Sequence, residues 1–401
     1  MFSGQTKSHC AIIRFLSLTV YYFMKFPGRR QHRHYFPVDN KNPLTNQVSS
    51  SSVADKNYIV GIDQVLVDIE AKVDQAFLDE FGLQRGMSQV ISDEVTQRLY
   101  KRLKDEALIN YEFAGGTIGN TMHNYSVLAD DRSVLLGVMS ENIHVGDYAY
   151  RFISNTSSRV DLNYLQPVDG PIGRCFTLID DTGERTFGIN AGLINRLRPE
   201  SIDESLISGA SALVISSYLM RTQPGDTMTE IKEPLLAANK CLDWVDMVIC
   251  TAGKDGLYMA GYVDEAFKRE SEYPLLSDEI HEYNRYEYSR PMLLKDCQKP
   301  MRIYTHSAPY MGGPERIKNT NGAGDAALAA ILHDLSANVY HKNTVAHSIK
   351  HQQPALTYSS LSQMSKYANR ASYEVLVQHS PRLSRGLPER EDSLDQAYWA
   401  Q

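Results

Sequence analysis

The pattern of apolar and polar positions along this chain is typical of an α/β protein. Short apolar runs at 58–63 (YIVGID), 65–69 (VLVDI), 211–217 (SALVISS) and 246–253 (DMVICTAG) predict strands. The last two are apolar throughout and rich in β-branched residues, which suits central parallel strands covered on both faces. Residues 92–108 have helical periodicity, with Ser92 as the N-cap and acidic residues in the first turn.

Other patterns predict how the chain is divided. Two alternating runs around Asp-Asp-Thr-Gly predict a hairpin near 174–190. Residues 262–316 are tyrosine-rich and polar, so we interpret them as an insertion. We expect one domain over 58–380, preceded by an N-terminal extension and irregular strap over 1–57 and followed by a surface tail at 381–401.

The N-terminal segment contains an apolar run at 11–23 that Arg14 interrupts. The run is too short to span a bilayer, and no small-residue cleavage site follows it. We interpret residues 1–23 as a wrongly assigned start or a disordered extension. The five cysteines have no CxxC spacing, which favours reduced thiols and a cytoplasmic location.

Charge and composition narrow the classes of partner. The chain has 401 residues, a net charge of −7 and a pI near 6.0. This balance gives no reason to expect nucleic acid or an anionic membrane as a partner. The hydrophobic content of 42% is enough for a sizeable core. We therefore expect a globular protein that binds small molecules.

The most informative motif is Asn319-Thr320-Asn321-Gly322-Ala323-Gly324-Asp325, which directly precedes an apolar, alanine-rich helix. Gly322, Ala323 and Gly324 are small enough for their N–H groups to surround an anion at a helix N-terminus. Asp325 beside such an anion site makes sense as a base that takes a proton from a hydroxyl. The motif predicts phosphoryl transfer to an alcohol.

Two further glycine-rich segments are candidates for ligand contact. The first contains Gly115, Gly116 and Asn120, where the glycines permit close approach and the amide can bind sugar hydroxyls. The second contains Thr251, Gly253 and Gly256. Either segment alone would also be explained as an ordinary turn.

Together these motifs resemble those of the ribokinase-like (phosphofructokinase-B) carbohydrate kinases. That family has G-G-x-x-x-N as its first signature and D-T-x-G-A-G-D as its second, in the same order as here, with Asn319 replacing the usual Asp. The resemblance implies a three-layer α/β fold with a mostly parallel central sheet flanked by helices and a small β lid. It also implies ATP and Mg²⁺ as the phosphoryl donor complex.

The resemblance also implies roles for individual residues. Asp68, Gly115, Gly116 and Asn120 would hold the acceptor sugar, although Asp63 competes with Asp68 for its role. Arg174 or Arg185 in the hairpin would reach the phosphates or substrate. The residues that would line ATP are Asn319, Thr320, Thr251, Gly253 and Gly256.

Within the family, the resemblance is closest to kinases of purine nucleosides, and it implies phosphorylation of the 5′-hydroxyl of inosine or guanosine. One departure is an internal segment, after 216–228, that such kinases have and this chain lacks. In such kinases that segment carries the N-x-x-E motif which organises Mg²⁺, so the metal ligands of this chain are unknown. Asn284–Glu287 also has the sequence N-x-x-E, but we interpret it as a chance match. Another acceptor, or nucleoside binding without catalysis, stays open. An exposed sheet edge makes a homodimer possible.

Overall fold

The fold was analysed in a computed structural model. The structure describes residues 9–14, 58–63, 65–129, 131–198, 202, 204–215, 234–267, 292–309, 316–344 and 361–387. The predicted strap, the region of the absent segment and the Asn284–Glu287 motif lie outside the described residues.

The main sheet has nine strands. They are β1 His9–Arg14, β2 Ile59–Ile62, β6 Ser133–Ser140, β7 Val160–Asp161, β8 Leu165–Val168, β11 Ala212–Ile215, β12 Met247–Thr251, β13 Leu257–Asp264 and β14 Pro300–Ser307. Their order is β14-β13-β12-β1-β11-β2-β6-β7, and β8 pairs with the C-terminal half of β6. The strand pairs β11–β2, β2–β6, β6–β7 and β6–β8 are parallel. The pairs β1–β11, β1–β12, β12–β13 and β13–β14 are antiparallel.

The described residues form eight α-helices. They are α1 Gln75–Glu80, α2 Asp93–Asp105, α3 Thr117–Ala129, α4 Tyr148–Ser154, α5 Glu204–Ser208, α6 Pro234–Cys241, α7 Ala323–Thr344 and α8 Leu361–Leu376. Helices α3, α7 and α8 pack into the main core on one face of the main sheet, and α5 and α6 lie on its other face, whereas α2 and α4 contact a second, smaller sheet. In β12, Met247 and Ile249 pack into the main core with α7 and α8, whereas Val248 and Cys250 pack with Ala238 of α6. The predicted three-layer α/β fold is confirmed.

The smaller sheet has five strands, in the order β4-β10-β9-β3-β5. Its strands are β3 Leu66–Lys72, β4 Ser88–Val90, β5 Ile109–Gly115, β9 Gly173–Ile179 and β10 Arg185–Asn190. Strands β9 and β10 pair as an antiparallel hairpin, as the two alternating runs predict. One face of the sheet is apolar, with Val67, Ile69, Phe176 and Leu178 fully buried. The other face carries polar side chains, and we call it the cleft face.

The N-terminal segment departs from the expectation of a wrong start or a disordered extension. Strand β1 lies inside the main sheet, antiparallel to both β11 and β12. Ile13 is opposite Val214, and Cys10 is opposite Cys250. The backbone of β1 thus joins the parallel and antiparallel halves of the sheet.

Two predicted boundaries are crossed by ordered elements. The expected insertion at 262–316 includes the end of β13 and all of β14, strands of the main sheet on which Tyr262 and Tyr304 are buried. The expected surface tail begins with a packed segment. Residues 381–383, 386 and 387 are buried, and Arg382 is only 4% exposed.

Candidate active site

The residues of the predicted anion site lie at the N-terminus of α7. Gly322 has a left-handed φ of 79°, and a Cβ atom there would lie 2.4 Å from the carbonyl oxygen of Pro381. Only glycine suits both conditions. The first N–H groups of a helix have no acceptor within the helix, so the start of α7 offers those of Ala323, Gly324 and Asp325 to an anion.

The two predicted motifs meet at one hydrogen bond. Asp325, in the first turn of α7, accepts a hydrogen bond at Oδ2 from Asn120 Nδ2 at 2.9 Å. Both side chains are buried, although 205 positions separate them in the chain. Asn120 lies in the first turn of α3, whose start is fixed by a hydrogen bond from Asn120 N to the Gly116 carbonyl oxygen at 2.8 Å.

Asp68 is close to the same pair. It lies within β3, opposite Phe113 and Cys175, and faces the cleft. The Asn120 side chain also hydrogen-bonds Asp68, so the amide joins the carboxylates of both predicted site residues. A Cβ atom at Gly115 would lie 2.4 Å from Asp68 Cγ, which explains why this position is glycine.

Asp63, the competing candidate, has a different environment. It follows the end of β2, is 2% exposed, and its Oδ2 accepts a hydrogen bond from Ile118 N at 2.7 Å. A carboxylate at the start of a helix stabilises the unpaired N–H groups there. The geometry therefore gives Asp63 a role in holding α3 and favours Asp68 as the ligand for the acceptor.

Burial shifts the acidities of these groups. Desolvation raises the pKa of Asp325 to about 8; the Asn120 hydrogen bond and Arg382 oppose this, while Asp68 and Asp63 add to it. Desolvation also raises the pKa of Asp68 to about 7, against the charge of Arg382. A carboxylate of pKa near the working pH is suited to act as a general base.

Arg382 was missed by the sequence analysis, which assigned it to a surface tail. Its Nε donates a hydrogen bond to Asn120 Oδ1 at 2.8 Å, and its guanidinium lies 4.9 Å from the centre of the Phe152 ring. The only sequence signal was the spacing of Pro381, Leu383 and Leu387, which are apolar positions in an otherwise charged segment.

The two candidate arginines of the hairpin lie on opposite faces of the small sheet. Arg185, on the cleft face, donates from Nη1 to Asn321 Oδ1 at 2.9 Å. Arg174 lies on the other face, against the rings of Tyr148 and Tyr100 at 4.7 and 5.2 Å. Only Arg185 is therefore placed to contact a ligand in the cleft.

Glu70 is a further acidic group on the cleft face, two residues after Asp68. It is 7% exposed, and among the described residues its Oε2 has no hydrogen-bond partner. Desolvation raises its pKa, while Arg185, His379 and Lys72 oppose this by their charge. Such an unsatisfied buried carboxylate costs stability.

The predicted ATP residues surround the same end of the sheet. Thr251 ends β12, and a Cβ atom at Gly324 would lie 3.6 Å from Thr251 Oγ1, so this strand end adjoins the anion site. Gly256 has a φ of 87° in the turn before β13, and the 3-10 helix Gly253–Asp255 precedes it.

The start of the second motif is held by local contacts. Asn319 is buried and donates from Nδ2 to the His379 carbonyl oxygen at 2.8 Å, while its Oδ1 accepts from Asn321 N at 2.9 Å. Thr320 is exposed. The contacts of Asn319 give it a role in shaping the loop, and its predicted role toward ATP stays a prediction.

The described residues include no group of three or more His, Cys, Asp or Glu side chains that could hold a metal ion. Mg²⁺ commonly keeps several waters and binds through one or two carboxylates plus phosphate oxygens. Within the described ranges, no helix is long and apolar enough to cross a membrane.

Comparison with known proteins gives consistent results. Residues 145–381 match the pfkB family of carbohydrate kinases. The guanosine-inosine kinase of Escherichia coli K12 is 55% identical over 432 residues, covering 94% of this chain and 100% of that protein. An alignment longer than the 401-residue chain means that part of the relative has no counterpart here.

Solved structures agree at the level of the fold. An adenosine kinase from Sinorhizobium meliloti has a TM-score of 0.58 at 16% identity, covering 85% of this chain and 99% of that one. A probable sugar kinase from Rhizobium etli CFN 42 has the same TM-score at 15% identity, covering 86% and 99%. At such identities the likeness concerns the fold alone.

Proposed function

Because the chain belongs to the pfkB family of carbohydrate kinases, we propose that it transfers the γ-phosphoryl group of ATP to the 5′-hydroxyl of inosine or guanosine. The name of its 55% identical relative, guanosine-inosine kinase, supports this choice of acceptor. The observation that carries the proposal is the hydrogen bond from Asn120 to Asp325. It joins the expected sugar-binding motif to the expected base at the start of an anion-binding helix.

In the proposed reaction, Asp68, Gly116 and Asn120 hold the ribose, and Asp325 takes the proton of the 5′-hydroxyl. The ribose oxygen then forms a bond to the γ-phosphorus, and the bond from that phosphorus to the β,γ-bridging oxygen breaks to release ADP. The N–H groups of Gly322, Ala323 and Gly324 stabilise the charge on the transferring group. Such a reaction depends mainly on positioning and on charge stabilisation.

ATP would lie between the N-terminus of α7 and the end of β12, lined by Thr251, Gly253 and Gly256. Arg185 would contact its phosphates, because its hydrogen bond to Asn321 holds it beside the anion site. Mg²⁺ bound to ATP would neutralise phosphate charge. We assign no residue of this chain to the metal.

The proposal includes a cytoplasmic location, where ATP is available, and no nucleic-acid or membrane partner. It also includes a homodimer formed at an edge of the small sheet, where β4 and β5 are the outer strands. Light scattering of the purified protein would give its mass in solution.

The experiment that tests the function is ADP release by the purified protein with Mg²⁺-ATP and guanosine or inosine, beside the variant Asp325→Asn. We expect acceptor-dependent release from the original chain and a loss of about 10²–10⁴-fold in the variant. Adenosine and ribose, tested in parallel, separate this assignment from a kinase for another acceptor. A folded protein that binds guanosine in calorimetry without releasing ADP would contradict the catalytic proposal.

A further inference from the structure

The C-terminal segment 381–387 is attached to the helix that carries Asn120. Asn124 Oδ1 accepts a hydrogen bond from Leu383 N at 2.7 Å, and His123 Nε2 lies 2.9 Å from the Leu383 carbonyl oxygen. Burial lowers the pKa of His123 to about 3, so the ring is neutral near neutral pH. Its Nδ1 accepts from Ser157 N at 3.0 Å, so Nε2 carries the proton and donates to Leu383. The segment is thus held through both backbone groups of Leu383.

This attachment brings the Arg382 guanidinium into the site. Besides Asn120, it donates to Thr156 Oγ1 at 2.6 Å and to the carbonyl oxygens of Asn155 and Gly115, each at 3.3 Å. Every nitrogen of the guanidinium therefore has an acceptor. A buried arginine with this set of partners has one fixed position, because its planar fork must satisfy all of them together.

The position of Arg382 determines the orientation of Asn120. A side-chain amide can be turned by 180°, which exchanges its donor and acceptor ends. Arg382 can only donate, so Asn120 must present Oδ1 to it. The NH₂ group then faces Asp325 and Asp68. In the reverse orientation, the amide oxygen would face two carboxylates.

Arg382 also supplies positive charge beside the acidic groups. Asp325 is influenced by Asp68 from β3, by Asp63 after β2, by Asn120 from α3 and by Arg382 from the C-terminal segment. Arg382 is the single cation in that set. Removing it would leave three carboxylates to repel one another in a buried site, and at least one would then hold a proton.

We propose that Arg382 is a positioning residue of the reaction: it orients Asn120 and favours the ionised form of Asp325, so that the C-terminal segment completes the active site. This inference rests on the proposed function. Arg382 need not touch substrate for this role, since it acts through Asn120 and through its charge. The same segment also closes the anion site, because Pro381 packs directly on Gly322.

The test compares Arg382→Gln, Arg382→Lys and the control Arg385→Gln, which removes an exposed arginine three residues away. Activity with ATP and guanosine is measured across pH 5.5–10, with thermal unfolding as a check on folding. We expect Arg382→Gln to lower kcat/KM by about 10²–10³-fold, the typical effect of losing one preorganised donor. Its activity should also rise at a higher pH than in the original chain, because Asp325 holds its proton longer.

Arg382→Lys keeps the positive charge but loses the planar set of guanidinium donors. Its activity should therefore fall, while the pH at which its activity increases should be the same as in the original chain. Arg385→Gln should match the original chain in both respects. The inference is overturned if Arg382→Gln keeps the original pH profile, or if its rate falls no further than that of Arg385→Gln. If Arg382→Gln does not fold, the Arg382→Lys profile decides, because an alkaline shift there would contradict the division between charge and geometry.

A second readout does not depend on turnover. Carboxyl resonances of ¹³C-labelled aspartate report the titration of Asp325, identified by its absence in Asp325→Asn. That resonance should titrate at higher pH in Arg382→Gln than in the original chain, and no displacement would overturn the inference. If the original chain shows this titration but no ADP release, the proposed function fails while the link between Arg382 and Asp325 stands.

Discussion

Gly115 leaves room for the carboxylate of Asp68, since a Cβ atom at that glycine would lie 2.4 Å from Asp68 Cγ. The two residues lie on paired strands, where Gly115 of β5 is opposite Leu66 of β3, two positions before Asp68. Real Cβ atoms essentially never come this close to a carboxylate, so a larger residue must displace Asp68. Gly115 therefore allows the carboxylate of Asp68, 47 positions earlier in the sequence, to keep its position.

Gly115→Ala should accordingly impair acceptor binding while leaving the fold in place. Misplacing a positioning group by about 1 Å can cost about 10²-fold in rate. We expect a fall of that order in kcat/KM for guanosine, with little change in the KM for ATP. The control is Gly188→Ala on the opposite face of the small sheet, where the added methyl meets only the flexible tip of Ile91 at 3.3 Å. Equal effects of the two substitutions would contradict this account.

The raised pKa of Asp325, about 8, predicts how the rate depends on pH. A general base works only when it is deprotonated, so kcat/KM should increase as the pH rises and level off above about 8. Asp68 titrates nearby, with a pKa of about 7, so the profile belongs to the coupled pair of carboxylates. A rate profile for guanosine from pH 5.5 to 9.5 checks this. A plateau already reached at pH 6 would contradict it.

Glu70 predicts an effect on stability. Because burial raises its pKa in the folded state, ionisation of Glu70 costs folding free energy. The cost is absent at low pH, where the group is protonated in both states. The free-energy cost grows as the pH rises from the pKa of a glutamate in the unfolded chain to the higher pKa of Glu70 in the folded protein. Glu70→Gln should therefore raise Tm at pH 8 and leave it nearly unchanged at pH 4.

A matched control for that prediction is Glu141→Gln, which changes an exposed glutamate outside the small sheet. It should leave the Tm at pH 8 within experimental error. Calorimetric scans of the three proteins at both pH values supply the comparison. A lower Tm for Glu70→Gln at pH 8 would mean that the carboxylate is stabilised in its ionised form, against the argument from burial.

Both members of the Asn120–Asp325 hydrogen bond could be named from the sequence, because each stands in a short motif. Asn120 and Asp325 stand in glycine-rich segments whose composition points to ligand contact before any fold is known. Arg382 could not be found this way. A single arginine in a mixed-charge segment has no periodicity, and its partners lie 226 to 267 positions earlier in the chain. Its burial depends on tertiary contacts that local composition does not encode.

Strands β1, β13 and β14 were harder to predict than the motifs, because a strand is defined by its pairing with other parts of the chain. The tyrosine-rich, polar composition of 262–316 favours an insertion, although this range begins inside β13 and contains β14. For β1, an apolar run near the N-terminus is compatible with a leader, an extension or a strand, and only the pairing with β11 and β12 decides among these. Strand formation depends on such neighbours more than on intrinsic preference.

The position of β1 leads to the last prediction. A chain that begins at Met24 lacks β1, so the facing edges of β11 and β12 lose their hydrogen-bond partners. Each lost ladder bond costs about 0.5–1.5 kcal/mol, so a few of them remove a large share of a total stability of about 5–15 kcal/mol. Urea denaturation should show a midpoint well below that of the full chain. Deletion of residues 1–8, which leaves β1 intact, should not change the midpoint, and if both truncated proteins unfold like the full chain, β1 does not stabilise the sheet.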